Sequence, residues 1–423
     1  MPQFKKYKLG ELITHKKGFA FKSKDYSTIG VPIVRVSDLT EDSVDLSNCL
    51  HVNKNLVPAY SDYSLKKDDM VITTVGSWQY NPASVVGKII RVPESANNTL
   101  LNQNAVRLRA NEKTNQHFIF YRLKCDDFKE YIVTGAQGSA NQAAITLEQI
   151  FGFEFDLPDL PTQTRIASIL SSLDDKIELN RRTNHTLEQI AQTLFKKYFV
   201  DDIDPENLPE GWKMDILESM IGELETGGRP KGGVNSYSKG IPSIGAENIV
   251  SIGKYDFKKN KFVPEEYFEK MTKGIVKNRD ILIYKDGGTP GNFIPHISMF
   301  GEGFPFEICC INEHVYRFQT KYTEYQSYAY LWLNSYTALD EMKQKGTGVA
   351  IPGLNSTALK SISFLVPSRK KMVEFNKIVE PIFKNILTNS KENFTLSKTR
   401  DYLLPKLMSG EIEVNVSEKE LVT

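Results

Sequence analysis

The chain has 423 residues, 40% of them hydrophobic, and 53 Lys and Arg against 52 Asp and Glu give a formal net charge of +1. That length exceeds one ordinary core and fits two to three domains, while the near-zero charge excludes nucleic-acid binding through a general basic excess; a DNA surface would have to be local or shared with a partner. No apolar run reaches membrane-span length, Met1–Lys6 lacks an apolar signal region, and Cys49, Cys125, Cys309 and Cys310 make no C-x-x-C pair, so we expect a cytoplasmic chain with no membrane contact, reduced thiols and no metal centre.

Charge is uneven along the chain: residues 1–26 hold seven lysines against Glu11 and Asp25, and 409–423 hold four glutamates against Lys419. From the first strand-like segment onward the chain says nearly the same thing twice. Tyr7–Leu12 matches Trp212–Leu217, and Gly30-Val31-Pro32-Ile33-Val34 matches Gly240-Ile241-Pro242-Ser243-Ile244, each a turn feeding a strand. A polar turn and buried strand follow, Leu65–Ile72 against Val276–Ile283, with Gly76 or Gly287 just beyond. Asn102–Leu108 and Asn312–Phe318 read as a polar cluster leading into an alternating strand. Helical segments are predicted near 115–132 and 322–343, then glycine-containing loops at 135–142 and 346–353. A last strand closes each copy at Leu157-Pro158 or Val366-Pro367, because proline cannot continue a ladder.

A long helix ends each copy. The first carries Ile166, Leu170, Leu173, Ile177, Asn180, Asn184, Leu187, Ala191, Leu194 and Tyr198 in alternating steps of four and three; the second carries Phe375, Val379, Ile382, Ile386, Asn389, Asn393, Leu396 and Leu403, with Arg400 out of pattern. A shift of 209 superposes most of one set on the other, asparagines included. Steps of three and four over five turns predict a coiled-coil seam, with packing of each helix on its own domain as the alternative. Thr162 and Ser368 are the expected N-caps, and the first helix should run to about Val200, roughly 58 Å at 1.5 Å per residue. Buried asparagines are costly unless paired; Asn180 and Asn184 facing Asn389 and Asn393 would be satisfied in one register only. Connectivity predicts an antiparallel pair, hence a pseudo-twofold relation between the copies. Antiparallel duplex strands share that symmetry, which would place two half-sites about one helical turn apart, ~34 Å.

With these features the chain resembles the specificity subunits of type I restriction-modification systems. The resemblance rests on the two-copy layout, on Leu157–Leu170 with Leu173-Asp174-Asp175-Lys176-Ile177, on Thr193–Phe199, on Arg400–Ile412, and on the glycine-rich Thr226–Pro230 and Lys285–Asn292. It implies an α+β fold: two pseudo-repeated mixed α/β target recognition domains joined by two long antiparallel helices forming a coiled coil. The division it implies is 1–158 and 212–367 for the recognition domains, 159–200 and 368–407 for the spacer helices, 201–211 for a linker and 408–423 for a tail. It also implies that each domain reads one part of a split duplex DNA target. The spacer would dock two methyltransferase (modification) subunits, and restriction subunits would join the full complex. No cofactor is expected in this chain; S-adenosylmethionine, ATP and Mg would belong to partner subunits.

The residues carry no convincing catalytic set. There is no G-x-x-x-x-G-K-[ST], G-x-S-x-G or H-E-x-x-H, and Asn81-Pro82-Ala83-Ser84 falls short of an amino-methyltransferase motif. Strand segments match between copies and loops do not, as reading two different half-sites from one scaffold requires. Arg and Lys suit guanine, Asn and Gln adenine. Candidate DNA-binding residues are therefore Lys22, Lys24, Arg35, Trp78, Gln79, Tyr80, Gln137, Asn141 and Gln142 in the first copy. In the second they are Arg229, Lys231, Tyr237, Lys285, Thr289, Asn292, Lys345 and Thr347. Each could instead be a solvated loop residue or turn former, and Arg35 a strand-end ion-pair residue. The competing functions are a duplicated protein-interaction scaffold and a stand-alone nucleic-acid enzyme.

Overall fold

The computed structural model describes residues 5–40, 43–78, 86–139, 142–201, 203–289, 291–346, 348 and 352–415. The chain forms two compact units, Met1–Asp175 with Ser397–Thr423, and Lys176–Leu396. Both long helices, Leu160–Phe199 and Arg369–Met408, contribute residues to both units.

The two units repeat one mixed architecture. In the first, an antiparallel sheet runs in the order Ile13–Lys17, Ala105–Ala110, Met70–Thr73, Ile89–Arg91; in the second the order is Ile221–Thr226, Val315–Thr320, Ile281–Tyr284, Ile297–Met299. The central strands are apolar because they are covered: Met70, Val71, Ile72, Ile281, Leu282 and Ile283 are fully buried. A second sheet pairs Val31–Val34 in parallel with Leu100–Leu101 and, in the other copy, Ile241–Ile244 in parallel with Cys310–Ile311. Lys5–Lys8 against Glu154–Leu157, and Lys213–Ile216 against Ser363–Val366, close each unit just before Pro158 and Pro367.

The same polar clamp holds both cores. Gln116 accepts from the Ala110 amide at 2.6 Å and donates to the Asp68 carbonyl at 2.8 Å; Gln326 accepts from the Thr320 amide at 2.8 Å and donates to the Arg279 carbonyl at 2.9 Å. Asp68 and Arg279 are both non-glycine residues at positive φ, 66° and 69°. A buried side-chain amide that satisfies backbone groups on two segments pins a turn that would otherwise be strained. Each predicted helical segment is two helices: Gln116–Arg122 with Asp126–Gly135, and Gln326–Leu333 with Tyr336–Lys345. The second starts where Ser335 Oγ accepts from the Ala338 amide.

The long helices pair antiparallel within each unit. In the second unit Asn180 donates to Asn393 Oδ1 at 3.0 Å and to Glu392 Oε2 at 2.7 Å. Asn184 donates to the Ile386 carbonyl at 3.1 Å and accepts from Asn389 Nδ2 at 2.8 Å. Ala191, Phe195, Phe199, Phe375, Val379 and Phe383 continue that seam into the core. In the first unit Ile166 and Leu170 join a cluster with Leu404 and Leu407. Arg400, the residue out of pattern, is buried there against Asp174, Nη1 to Oδ1 at 2.6 Å, and Tyr121 donates to the other Asp174 oxygen at 2.6 Å.

One of the two expected helix caps needs correcting. Thr162 lies inside the first long helix, which begins at Leu160; Asp159 Oδ1 accepts from the Thr162 amide at 2.8 Å and supplies the cap. Pro161 misdirects the reading because proline is tolerated within a first helical turn, where its missing N–H has no intrahelical acceptor. Ser368 does cap its helix: its Oγ accepts from the Lys371 amide at 3.4 Å and its carbonyl from the Met372 amide at 3.0 Å.

Candidate nucleic-acid interface

Within the glycine-containing segment 135–142, expected as a loop, Gln137–Ser139 and Gln142 belong to strands in the first unit. Gln137–Ser139 pairs with Gln142–Ala144, and Ala143 and Ala144 pair with Gly76 and Val75. This sheet brings exposed Gln137 and Gln142 beside the strand that leads to Trp78. Trp78 is half-buried and packs against the unit's main core. Gln79, Tyr80 and Asn141 lie outside the described residues.

Lys22, Lys24 and Arg35 flank the other sheet. Lys22 and Lys24 are exposed, with no ion-pair partner among the described residues, beside a segment braced from below. Phe19, Phe21, Tyr60 and Tyr63 pack there, tilted or edge-on, at centroid distances of 5.0–5.2 Å, and Tyr60 donates to Asp25. Lys16 sits over Tyr63 and pairs with Asp62 at 2.9 Å. Arg35 is already engaged: its guanidinium makes two bonds to Asp38, at 3.0 and 2.8 Å, and one to the Asn48 carbonyl. That arrangement holds the strand end and leaves less of the fork to offer a base.

In the second unit Asp286 bridges Gly353, as Gly76 and Val75 pair with Ala143 and Ala144 in the first, and a hairpin is described just beyond it. Gly288–Thr289 pairs with Asn292–Phe293, so Thr289 and Asn292 face each other in register, both exposed. Gly288 has φ +124°, and a side chain there would meet the Asn292 carbonyl, so only glycine allows this turn. Gly346, just after helix Tyr336–Lys345, lies against the hairpin; a Cβ added there would stand 2.5 Å from Phe293 Cβ. Gly287 donates to the Pro352 carbonyl at 2.8 Å, tying the two segments again. Lys345 bonds the Ser361 carbonyl and hydroxyl at 2.8 and 2.7 Å and pairs with Glu341 at 3.0 Å, so its ammonium secures the helix end. Thr347 is outside the described residues.

Around this hairpin the cations have local counter-charges. Arg229 Nε lies 2.7 Å from Glu313 Oε1, Lys285 donates to the Glu313 carbonyl at 3.2 Å, and His314 Nδ1 lies 2.7 Å from Asp286 Oδ2. Glu247 pairs with Lys261; burial pushes its carboxyl up, but the bonds from Lys261 and the backbone carry it below the ordinary glutamate range. Lys231 and Tyr237 are exposed on the preceding loop. Glu313 thus links Arg229 to Lys285, which leads into the Thr289–Asn292 hairpin. Sequence reasoning missed Glu313 and Asp286 as members of this group. The signal was available in the repeat: Glu313 and His314 stand where the first copy has Gln103 and Asn104, in the polar cluster that precedes each central strand. A carboxylate accepts from cytosine N4, an amide pairs with adenine, and a guanidinium or ammonium suits guanine, so the two clusters offer different base-edge chemistry.

Among the described residues no group of three or more His, Cys, Asp or Glu could hold a metal ion, and no helix is long and apolar enough to cross a membrane. A family model described as the type I restriction modification DNA specificity domain matches residues 1–189 and again 209–396. The chain is 25% identical to the type I restriction enzyme HindI specificity subunit of Haemophilus influenzae, over 97% of this chain and 100% of that one. It is 26% identical to the MjaIX specificity subunit of Methanocaldococcus jannaschii, over 70% and 69%. In fold it is similar to the S subunit of a type I restriction-modification system from M. genitalium, with TM-score 0.56, 17% identity and 96% of each chain covered. The chain therefore belongs to the specificity subunits of type I restriction-modification systems and carries their DNA specificity domain twice.

Proposed function

We propose that each unit reads one part of a two-part, asymmetric duplex DNA target. The first reads through hairpin 137–144, the segment after Gly76 and the cations Lys22 and Lys24. The second reads through hairpin 288–293 with Arg229, Lys285 and the segment after Lys345. The observation that carries this reading is that both units share one sheet order and one glutamine clamp, yet place different side chains on the matched segments, with exposed Gln137 and Gln142 in the first and Arg229, Glu313 and Lys285 in the second. Different side chains on one scaffold are what two different half-sites need.

The long-helix pair then acts as the spacer, with Asn180, Asn184, Asn389 and Asn393 selecting its register, and it docks two modification subunits. Restriction subunits complete the cleaving assembly, in the cytoplasm. S-adenosylmethionine, ATP and Mg act on those partners, and this chain selects the site at which they work. A formal charge of +1 supports such division of labour: phosphate binding by this chain alone would be weak, and the partners would supply much of it. The test is methylated-base sequencing of DNA from cells expressing this chain with its modification subunits. One two-part motif with a fixed gap is expected; methylation without a gap, or none dependent on this chain, would reject the reading.

A further inference from the structure

The repeat breaks at one level of the helix seam. In the first unit that level holds the buried Asp174–Arg400 pair, and the shift of 209 places Phe383 where Asp174 stands and Ala191 where Arg400 stands. The second unit has therefore exchanged a long cationic side chain for a methyl group. A cavity of ≈ 330 Å³ opens there, with Ala191, Phe195, Phe383 and Tyr330 in its wall.

The cavity is not simply greasy. Glu188 borders it, and its Oε1 is buried without a hydrogen-bond partner; the nearest cation, Lys254, is 3.9 Å away and more than half exposed. Ser251 Oγ, also in the wall, is buried and unpartnered. Tyr330 accepts from the Ile252 amide at 3.1 Å, which leaves its own proton to donate. Burial pushes the Glu188 carboxyl above the usual range, with Lys254 and His185 pulling the other way. A buried carboxylate oxygen without a donor is expensive, and a neutral apolar guest would leave it so. Phenyl rings beside a carboxylate favour a cation over a neutral guest.

We propose that this cavity binds a guanidinium or ammonium group on a short aliphatic stem, its charge on Glu188 and its stem against Phe195 and Phe383. The group occupies in the second unit the space that Arg400 fills from within the chain in the first.

The probe is agmatine, titrated calorimetrically into the full chain, with N-butylurea as the uncharged control. Agmatine is expected to saturate one site and to bind at least tenfold more tightly than N-butylurea. Glu188→Gln should weaken it at least tenfold, and so should Ala191→Leu, which fills the space while leaving the carboxylate intact. Absence of agmatine binding, equal binding of the urea, or binding that survives both substitutions would overturn the proposal. The source of the cation is separated by repeating the titration on the assembly with modification subunits, an arm that rests on the proposed function. Loss of the agmatine site in the assembly assigns the cavity to a partner's basic side chain; an unchanged site assigns it to a free amine. The titrations on the chain alone do not depend on DNA recognition, so the two readings can fail separately.

Discussion

The two units share a scaffold but surround their candidate DNA-binding residues with different charge. Around the recognition segments of the first, Lys22 and Lys24 are exposed and unpaired among the described residues, and Gln103 and Asn104 are neutral. In the second, Arg229 pairs with Glu313, His314 with Asp286 and Lys261 with Glu247. Unpaired lysines attract phosphate without regard to sequence, whereas a cation held by a carboxylate must exchange that partner for a base edge. On the proposed reading, exposed lysines add affinity in the first unit and carboxylate-held cations add discrimination in the second, each within its own part of the target. The cores differ in the same direction. Arg317, 1% exposed, contacts Asp280, Glu223 and Glu225; its repeat equivalent Arg107 donates to the Asp62 and Ser64 carbonyls, and Asp69, the equivalent of Asp280, is held by Arg109, which is 40% exposed.

That contrast can be broken from the core outward. Arg317→Met would leave three carboxylates without their shared cation, and urea unfolding should report a loss of about 3–5 kcal/mol. Arg109→Met leaves one buried carboxylate, Asp69, with the Lys66 amide as donor, and should cost less, about 1–3 kcal/mol. Equal losses would mean the two charge networks are equivalent. Glu313→Gln makes the second cluster resemble the first. Competition binding of the assembled complex to half-site variants should then show about 1–3 kcal/mol less discrimination at one base pair of the second part, with the first part untouched.

The helix asparagines sharpen the comparison further. Asn184 is 7% exposed and bonded both to Asn389 and to the Ile386 carbonyl, whereas its repeat equivalent Asn393 is only half-buried. Asn184→Ala should cost about 1–3 kcal/mol in the same unfolding assay and Asn393→Ala under about 1 kcal/mol. The smallest effect is expected from Lys22→Gln with Lys24→Gln. Affinity should fall alike for all sequences, and the slope of log K against log salt should lose about 2 in magnitude. A change in preferred sequence instead would assign those lysines to bases.

The repeat made the scaffold legible. The matched strands, the two long helices and the asparagine pairs follow from periodicity and from the shift of 209, since buried apolar faces leave a strong pattern. The recognition segments were less legible, for a physical reason. Gln137-Gly138-Ser139 and Gly288-Thr289 have little strand propensity of their own and become strands only by pairing, the first beside Val75–Gly76 through Gln142–Ala144 and the second with Asn292–Phe293. Arg400 looked like a fault in the seam because its partner Asp174 is 226 residues away. Lys345 and Arg35 were chosen for their charge, yet the structure gives both intramolecular work, at Ser361 and Asp38. Side-chain type alone does not distinguish a cation offered to DNA from one already engaged.

The central claim is that each unit reads its own part of the target. The most direct measurement exchanges residues 212–367 for the corresponding domain of a relative with a different target, followed by methylated-base sequencing in cells that carry the modification subunits. A motif whose first part and gap are unchanged while its second part is replaced is the predicted result. A motif altered in both parts would contradict the division of recognition between the units.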